Sequence, residues 1–321
     1  MDDICQVLSP PRRLRYGPYM DVYLPIANLA VNGLVIVGLG LLTGVLSGLF
    51  GVGGGFLTTP LLIFYGVPPT VAAASASTQV TGASVSGLLS HAKRGGVDVK
   101  MGGIMVAGGA IGAGIGALLF RFFRSVGQID VVINALYVVL LGSIGALMAR
   151  EAWQAIRGGA TVSQPRRRRH HPLVAALPGR WRFYGSGLYI SPLAPLLLGV
   201  VTGILTMLMG VGGGFILVPA MLYILGMSAT VVVGTSLFNI VFVTILATIM
   251  HALTTHAVDM VLVLFLLIGS VTGAQMGTAF AGRARPEVLR LALAVLVLLV
   301  AFRMLFGLGV RPDEIFTVSP L

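Results

Sequence analysis

Two stretches of backbone, Gly51-Val52-Gly53-Gly54-Gly55 and Gly210-Val211-Gly212-Gly213-Gly214, are the parts of this chain best suited to meeting a charged solute. Each glycine costs a helix about 1 kcal/mol relative to alanine, so neither stretch continues a helix comfortably. Each leads directly into a short apolar piece, Phe56–Tyr65 or Phe215–Leu225, which carries a proline, Pro60 or Pro219. A helix restarting after the break turns its unpaired N–H groups and positive dipole end back on it, an arrangement that binds anions without a formal charge. Gly53, Gly54, Gly55, Gly212, Gly213 and Gly214 are therefore candidate binding positions, with Pro60 and Pro219 as hinges. A nucleotide P-loop is excluded, because the Lys and Ser/Thr it needs do not follow.

A second constellation is polar. Ser75, Ser77, Thr78 and Gln79 open one apolar segment, and Thr235, Ser236 and Asn239 lie in a matching one. Hydroxyls and amides can donate hydrogen bonds to an oxyanion while staying neutral. Serine and threonine equally bond the preceding turn of their own helix, so each alone reads as site or as structure. Gln79 and Asn239, amides at matching positions, lead the set. His91 and His251 close equivalent segments; histidine titrates near neutral pH, so a proton or gating role stands beside interfacial anchoring. Gly82-Ala83-Ser84-Val85 has the form of a rhomboid-like intramembrane serine protease, with His251 as the partner that would activate Ser84. Against this, the repeat described below matches Ser84 with Thr244, unlike a single catalytic dyad. A non-transporting scaffold or channel is the third reading; a channel needs a continuous polar lining, and few segments carry a polar stripe. Cys5 is the sole cysteine, so no disulfide within the chain and no cysteine-based metal site is expected, and no cofactor is implied.

The elements that must hold these groups are membrane helices. The 321 residues are 56% hydrophobic and 10% charged, against about 25% charged in soluble domains. Between Val31 and Ala149 the acids are Asp98 and Asp130, both between apolar runs. Apolar segments long enough to cross a bilayer are Leu29–Phe50, Thr70–Ser90, Met101–Phe120, Ile129–Ala149, Pro192–Met209, Ala229–His251, Met260–Ala281 and Glu287–Phe306. The fold expected is an all-α polytopic membrane protein. The boundaries read as an arm 1–28, a first repeat 29–149, a cytoplasmic linker 150–191, a second repeat 192–307 and a tail 308–321.

Duplication is plain in the residues. Thr43–Phe56 and Thr202–Phe215 are identical at ten of fourteen positions, and Pro60 matches Pro219. Further on Ser75 matches Thr235, Gln79 matches Asn239, His91 matches His251 and Asp98 matches Asp259. The net charge of +11 reflects basic loops beside membrane spans, and no nucleic-acid-reading motif accompanies it. Arg166, Arg167, Arg168 and Arg169 in the linker are placed to meet anionic lipid headgroups. If the short pieces count as crossings, the copies are inverted and Arg283, Arg285 and Arg290 fall inside. If they are re-entrant, the copies are parallel and Arg12, Arg13 and Arg15 are better placed.

The twin Gly-Val-Gly-Gly-Gly-Phe segments with Pro60 and Pro219 four residues on, the Val233-Gly234-Thr235-Ser236-Leu237 run and the Gly95-Gly96-Val97-Asp98 loop resemble the TauE/SafE family of sulfite and organosulfonate exporters. The likeness spans Leu34–Ala149 and Leu196–Phe306. It implies a multi-pass permease of a bacterial inner membrane that moves a small anion such as sulfite, sulfoacetate or thiosulfate. The first copy departs from the pattern where Ala73-Ala74-Ser75-Ala76-Ser77 replaces the usual Gly-Thr-Ser run.

Overall fold

A computed structural model of the chain describes residues 21–50, 53–93, 95–157, 179, 181–183, 185–281 and 286–309. Strands β1 (Asp21–Leu24) and β2 (Leu29–Asn32) form a hairpin that runs straight into α1 (Gly33–Phe50). Then follow α2 (Gly55–Phe64), α3 (Pro69–Ala92), α4 (Val99–Ser125) and α5 (Ile129–Arg157). The second half repeats this order: hairpin β3 (Trp181–Phe183) and β4 (Leu188–Ile190), then α6 (Leu193–Met209), α7 (Gly214–Tyr223), α8 (Ala229–Thr254), α9 (Met260–Ala281) and α10 (Pro286–Gly309). Residues 29–32, expected in the first span, are thus a strand, and the ends of the expected arm (21–28) and linker (181–183 and 185–190) contribute to hairpins. Residues 1–20, the linker arginines Arg166–Arg169 and the tail from residue 310 lie outside the described residues.

Among the described residues, α4, α5, α8, α9 and α10 each contain a stretch long and apolar enough to cross a membrane. The protein is therefore a multi-pass helical membrane protein. Helix α3 is long enough but rich in Ala, Ser and Thr. It lies inside the bundle, with Ala72, Ala73, Ala74, Ala76 and Val80 wholly buried, and its small side chains allow close neighbours.

Glycine faces bring the halves together. A Cβ added at Gly269, Gly273 or Gly277 of α9 would lie 2.1–2.3 Å from the carbonyls of Val37, Leu41 and Val45 in turn. Both sequences ascend, so α1 and α9 run parallel. The equivalent pair, α4 and α6, does the same: Cβ atoms at Gly108 and Gly112 would fall 2.2 and 2.1 Å from the carbonyls of Leu196 and Val200. These stripes are packing faces, as their composition suggests. By contrast α3 and α8 run antiparallel. Thr78 Oγ1 is 3.2 Å from Thr248 Oγ1, and Thr81 Oγ1 donates to Thr244 Oγ1 at 2.8 Å. These are the two helices that carry the matching residues Gln79 and Asn239, and they point in opposite directions.

After each break the chain doubles back. Gly54 sits against Thr43 and Ser47 of α1, and Leu62 and Val67 join Ile36 in one apolar cluster, so α2 returns to the end where α1 began. Gly213 lies against Thr202 and Thr206 of α6 in the same way.

Two buried aspartates tie the ends together. Asp98 caps α4, accepting from Met101 N at 3.1 Å through Oδ1, while its Oδ2 accepts from Ser186 N in the β3–β4 turn at 2.8 Å. Asp259 accepts from Val261 N and Leu262 N through Oδ1, and from Ile26 N in the β1–β2 turn at 3.0 Å through Oδ2. Each hairpin is thus held by a carboxylate of the other half. Such charge-assisted bonds satisfy both the carboxylate and otherwise orphaned amides.

Candidate functional site

Helix α6 ends at Gly210 in the left-handed conformation (φ 72°), and α7 restarts from Gly213 with φ 72°. Gly53 and Gly54, with φ 83° and 68°, do the same before α2. Residues with a Cβ rarely adopt this backbone, which explains the glycines. The breaks touch. A Cβ on Gly55 would lie 2.8 Å from the carbonyl of Val211, and the rings of Phe56 and Phe215 stack at 4.6 Å between centroids. Positive ends of two half-helices therefore converge at the centre of the bundle. Pro60 and Pro219 lie within α2 and α7 and deprive each of an internal hydrogen bond.

Where the break leaves carbonyls without helical partners, side chains fill in. Tyr137 Oη donates to Met209 O at 2.7 Å and Thr59 Oγ1 to the same oxygen at 3.2 Å. His251 Nε2 lies 2.9 Å from Met207 O, and its Nδ1 is 3.3 Å from Thr255 Oγ1. The ring is buried, edge-on to Phe120 at 5.1 Å between centroids. This differs from the interfacial position expected from sequence: the packing of α4 and α6 over the end of α8 covers it. His91, its counterpart, is half-buried at the end of α3. With both nitrogens of His251 facing Met207 and Thr255, and the hydroxyl of Ser84 without a partner, the protease-like dyad is not formed.

The polar residues of α3 and α8 divide into two groups. Ser75 Oγ accepts from Asp259 N at 3.1 Å and Thr235 Oγ1 from Asp98 N at 2.9 Å, a reciprocal pair across the halves. Ser77 and Ser236 donate to carbonyls three residues back in their own helices. Thr78 meets Thr248 at the α3–α8 contact. The amides differ. Gln79 Oε1 accepts from Thr58 Oγ1 at 3.1 Å, at the first turn of α2, but its Nε2 has no partner. Asn239 has none at either amide atom, and both residues are fully buried. A buried polar group without a hydrogen bond costs about 1–3 kcal/mol. Gln79 is held against α2 through Thr58, and Asn239 lies on α8, the helix that packs on α7.

Thr58, Thr81, Thr244 and Tyr137 take part here without having been singled out from sequence. Thr58 escaped because its counterpart is Leu217, so the repeat does not mark it. Tyr137 lies in an apolar run with Asn134 three residues before it, and its ring reads as part of the hydrophobic face.

A bundle of apolar helices whose irregular backbone and unpaired amides lie buried at its centre defines the class: a polytopic membrane protein with an internal polar site. The model of the family described as Sulfite exporter TauE/SafE matches residues 36–304, and the chain belongs to that family. Among curated relatives, the probable membrane transporter protein YjnA of Bacillus subtilis is 26% identical over 273 residues, covering 84% of this chain and 98% of that protein. A probable membrane transporter protein of Xylella fastidiosa is 28% identical over 272 residues, 84% of this chain and 93% of its own length. A short match of 49 residues at 51% identity links the chain to Sulfite exporter TauE/SafE family protein 1 of Arabidopsis thaliana, over 15% and 11% of the two chains. No solved structure matches.

Proposed function

We propose that the protein is a secondary transporter for small anions, working in the plasma membrane of a bacterium, with sulfite or an organosulfonate as its cargo. The observation that carries this reading is a pair of buried amides with unsatisfied atoms, Gln79 held against α2 through Thr58 and Asn239 on α8, which packs on α7. A solute bound there takes hydrogen bonds from neutral amides and from the N–H groups of Gly54, Gly213 and Gly214. An anion gains from this twice, through the donors and through the helix ends, whereas a cation is repelled by the same dipoles. Pro60 and Pro219 weaken the half-helices where they must move, and the family and the relatives' names agree with transport. Ser75 and Thr235 support the site from behind by holding the aspartate turns. The linker arginines Arg166–Arg169 are read as a lipid-headgroup contact on the cytoplasmic side.

The test is counterflow of radiolabelled sulfite in proteoliposomes. Gly54→Val and Gly213→Val force a branched side chain onto left-handed backbone packed against Ser47 and Thr202. Each is expected to lower the initial rate at least tenfold. Full transport in both variants would remove the breaks from the site.

A further inference from the structure

We propose that the chain carries two anion stations in series, one at Gln79 and α2 and the other at Asn239 and α7, separated by a tightly packed centre. This rests on the anion reading above and says how many ions are held and where. Its first support is register. Thr81 pairs with Thr244, Ser77 and Thr78 face Thr248, and Gly87 packs on Leu237, so α3 and α8 are aligned antiparallel along their contact. In that alignment Gln79 is level with Leu246, and Asn239 with Ser86. Seven residue levels separate the two amides, about 10 Å along the helices at 1.5 Å per residue.

The second support is direction. Gln79 precedes Thr81 by two positions, about 200° around the helix, so it faces away from α8. Its bond to Thr58 places it against α2. Asn239 stands five positions from Thr244, about 140° off the α3 contact, on a helix that packs on α7. A small oxyanion making hydrogen bonds of about 3 Å does not bridge two amides so placed.

The third support is what lies between. Phe56 and Phe215 stack on each other, and Val80 and Ile240 are fully buried. Both aliphatic chains reach both breaks: a Cβ on Gly53 would meet Ile240 and Val80 at 3.4 and 3.5 Å, and one on Gly212 would meet Val80 and Ile240 at 2.7 and 3.1 Å. These four side chains fill most of the centre, where the hydroxyl of Ser84, also 3.5 Å from a Cβ on Gly53, stands without a partner and Thr81 bonds Thr244. The stations also differ. Thr58 occupies the carbonyl of Gln79, leaving a donor, whereas Leu217 leaves Asn239 with a donor and an acceptor. The second station can therefore also receive the O–H of a protonated oxyanion.

Equilibrium binding of labelled sulfite to the purified full-length chain, kept under inert gas, counts the stations. Two equivalents per chain are expected in the wild type, one in Gln79→Leu, one in Asn239→Leu and none in the double variant. Thr58→Val is expected to weaken one class of site and leave the other unmoved. Melting temperature identifies the variants that fold, and Gln79→Met and Asn239→Ser replace any leucine variant that does not. A single equivalent in the wild type overturns the proposal, as do two equivalents persisting in both single variants. No sulfite bound by the wild type at any concentration overturns the anion reading beneath it.

Discussion

Asp98 and Asp259 show how much one side chain can organise. Each is buried, each caps the helix after it, and each holds the hairpin of the other half. Removing either carboxylate leaves several backbone amides buried without acceptors. Asp98→Ala and Asp259→Ala are each expected to lower stability by about 2–3 kcal/mol, read as a fall in melting temperature of the purified protein. A variant that melts with the wild type would show that these caps do not hold the hairpins. Gly55 makes the second residue-level case. Its backbone φ lies outside the left-handed region, yet a Cβ there would sit 2.5 Å from Val80 Cγ2 and 2.8 Å from Val211 O. Gly55→Ala is expected to separate the two breaks and reduce sulfite counterflow at least fivefold, whereas an unchanged rate would mean that the contact between the breaks is dispensable. The glycines were legible as a break from residue type alone; that one break faces the other was not, because nothing local encodes the partner.

At the scale of elements, the parallel pairs α1–α9 and α4–α6 depend on glycine faces rather than on apolar burial, since lipid offers hydrocarbon as readily as a neighbouring helix does. The face is selective. Gly112 of α4 would place a Cβ 2.1 Å from Val200 O, whereas Gly114 on the same helix has nothing within 4 Å. Gly112→Leu is expected to abolish a monodisperse gel-filtration peak, and Gly114→Leu to preserve it. Equal behaviour of the two would mean that α4 and α6 do not pack through this stripe. The helices themselves were readable from apolar length, with α3 the instructive case. Its hydroxyls looked like a site, but several of them bond its own preceding turn or brace the turns of the other half. Which use a serine serves depends on what packs beside it, and that lies outside its own segment.

Taken whole, the molecule presents α3 and α8 in opposite directions. The end of α3 near Lys93 and the end of α8 near Leu253 therefore belong on opposite faces of the membrane. Single cysteines at these two exposed positions, in a Cys5→Ser background, are expected to react with a membrane-impermeant maleimide from opposite sides of oriented vesicles. Labelling of both from one side would refute the inverted arrangement. By itself, the sequence determined the membrane class, the apolar helical segments and the two glycine breaks. Each of these follows from local composition. Only the tertiary structure decided that the short α2 and α7 double back, that His251 is buried against Met207, and that Gln79 is held against α2 through Thr58. Those outcomes depend on which helix lies beside which and in what register. Contacts between separate segments, 21 residues apart for Thr58 and Gln79 and 44 for Met207 and His251, set that register, and no single segment carries it.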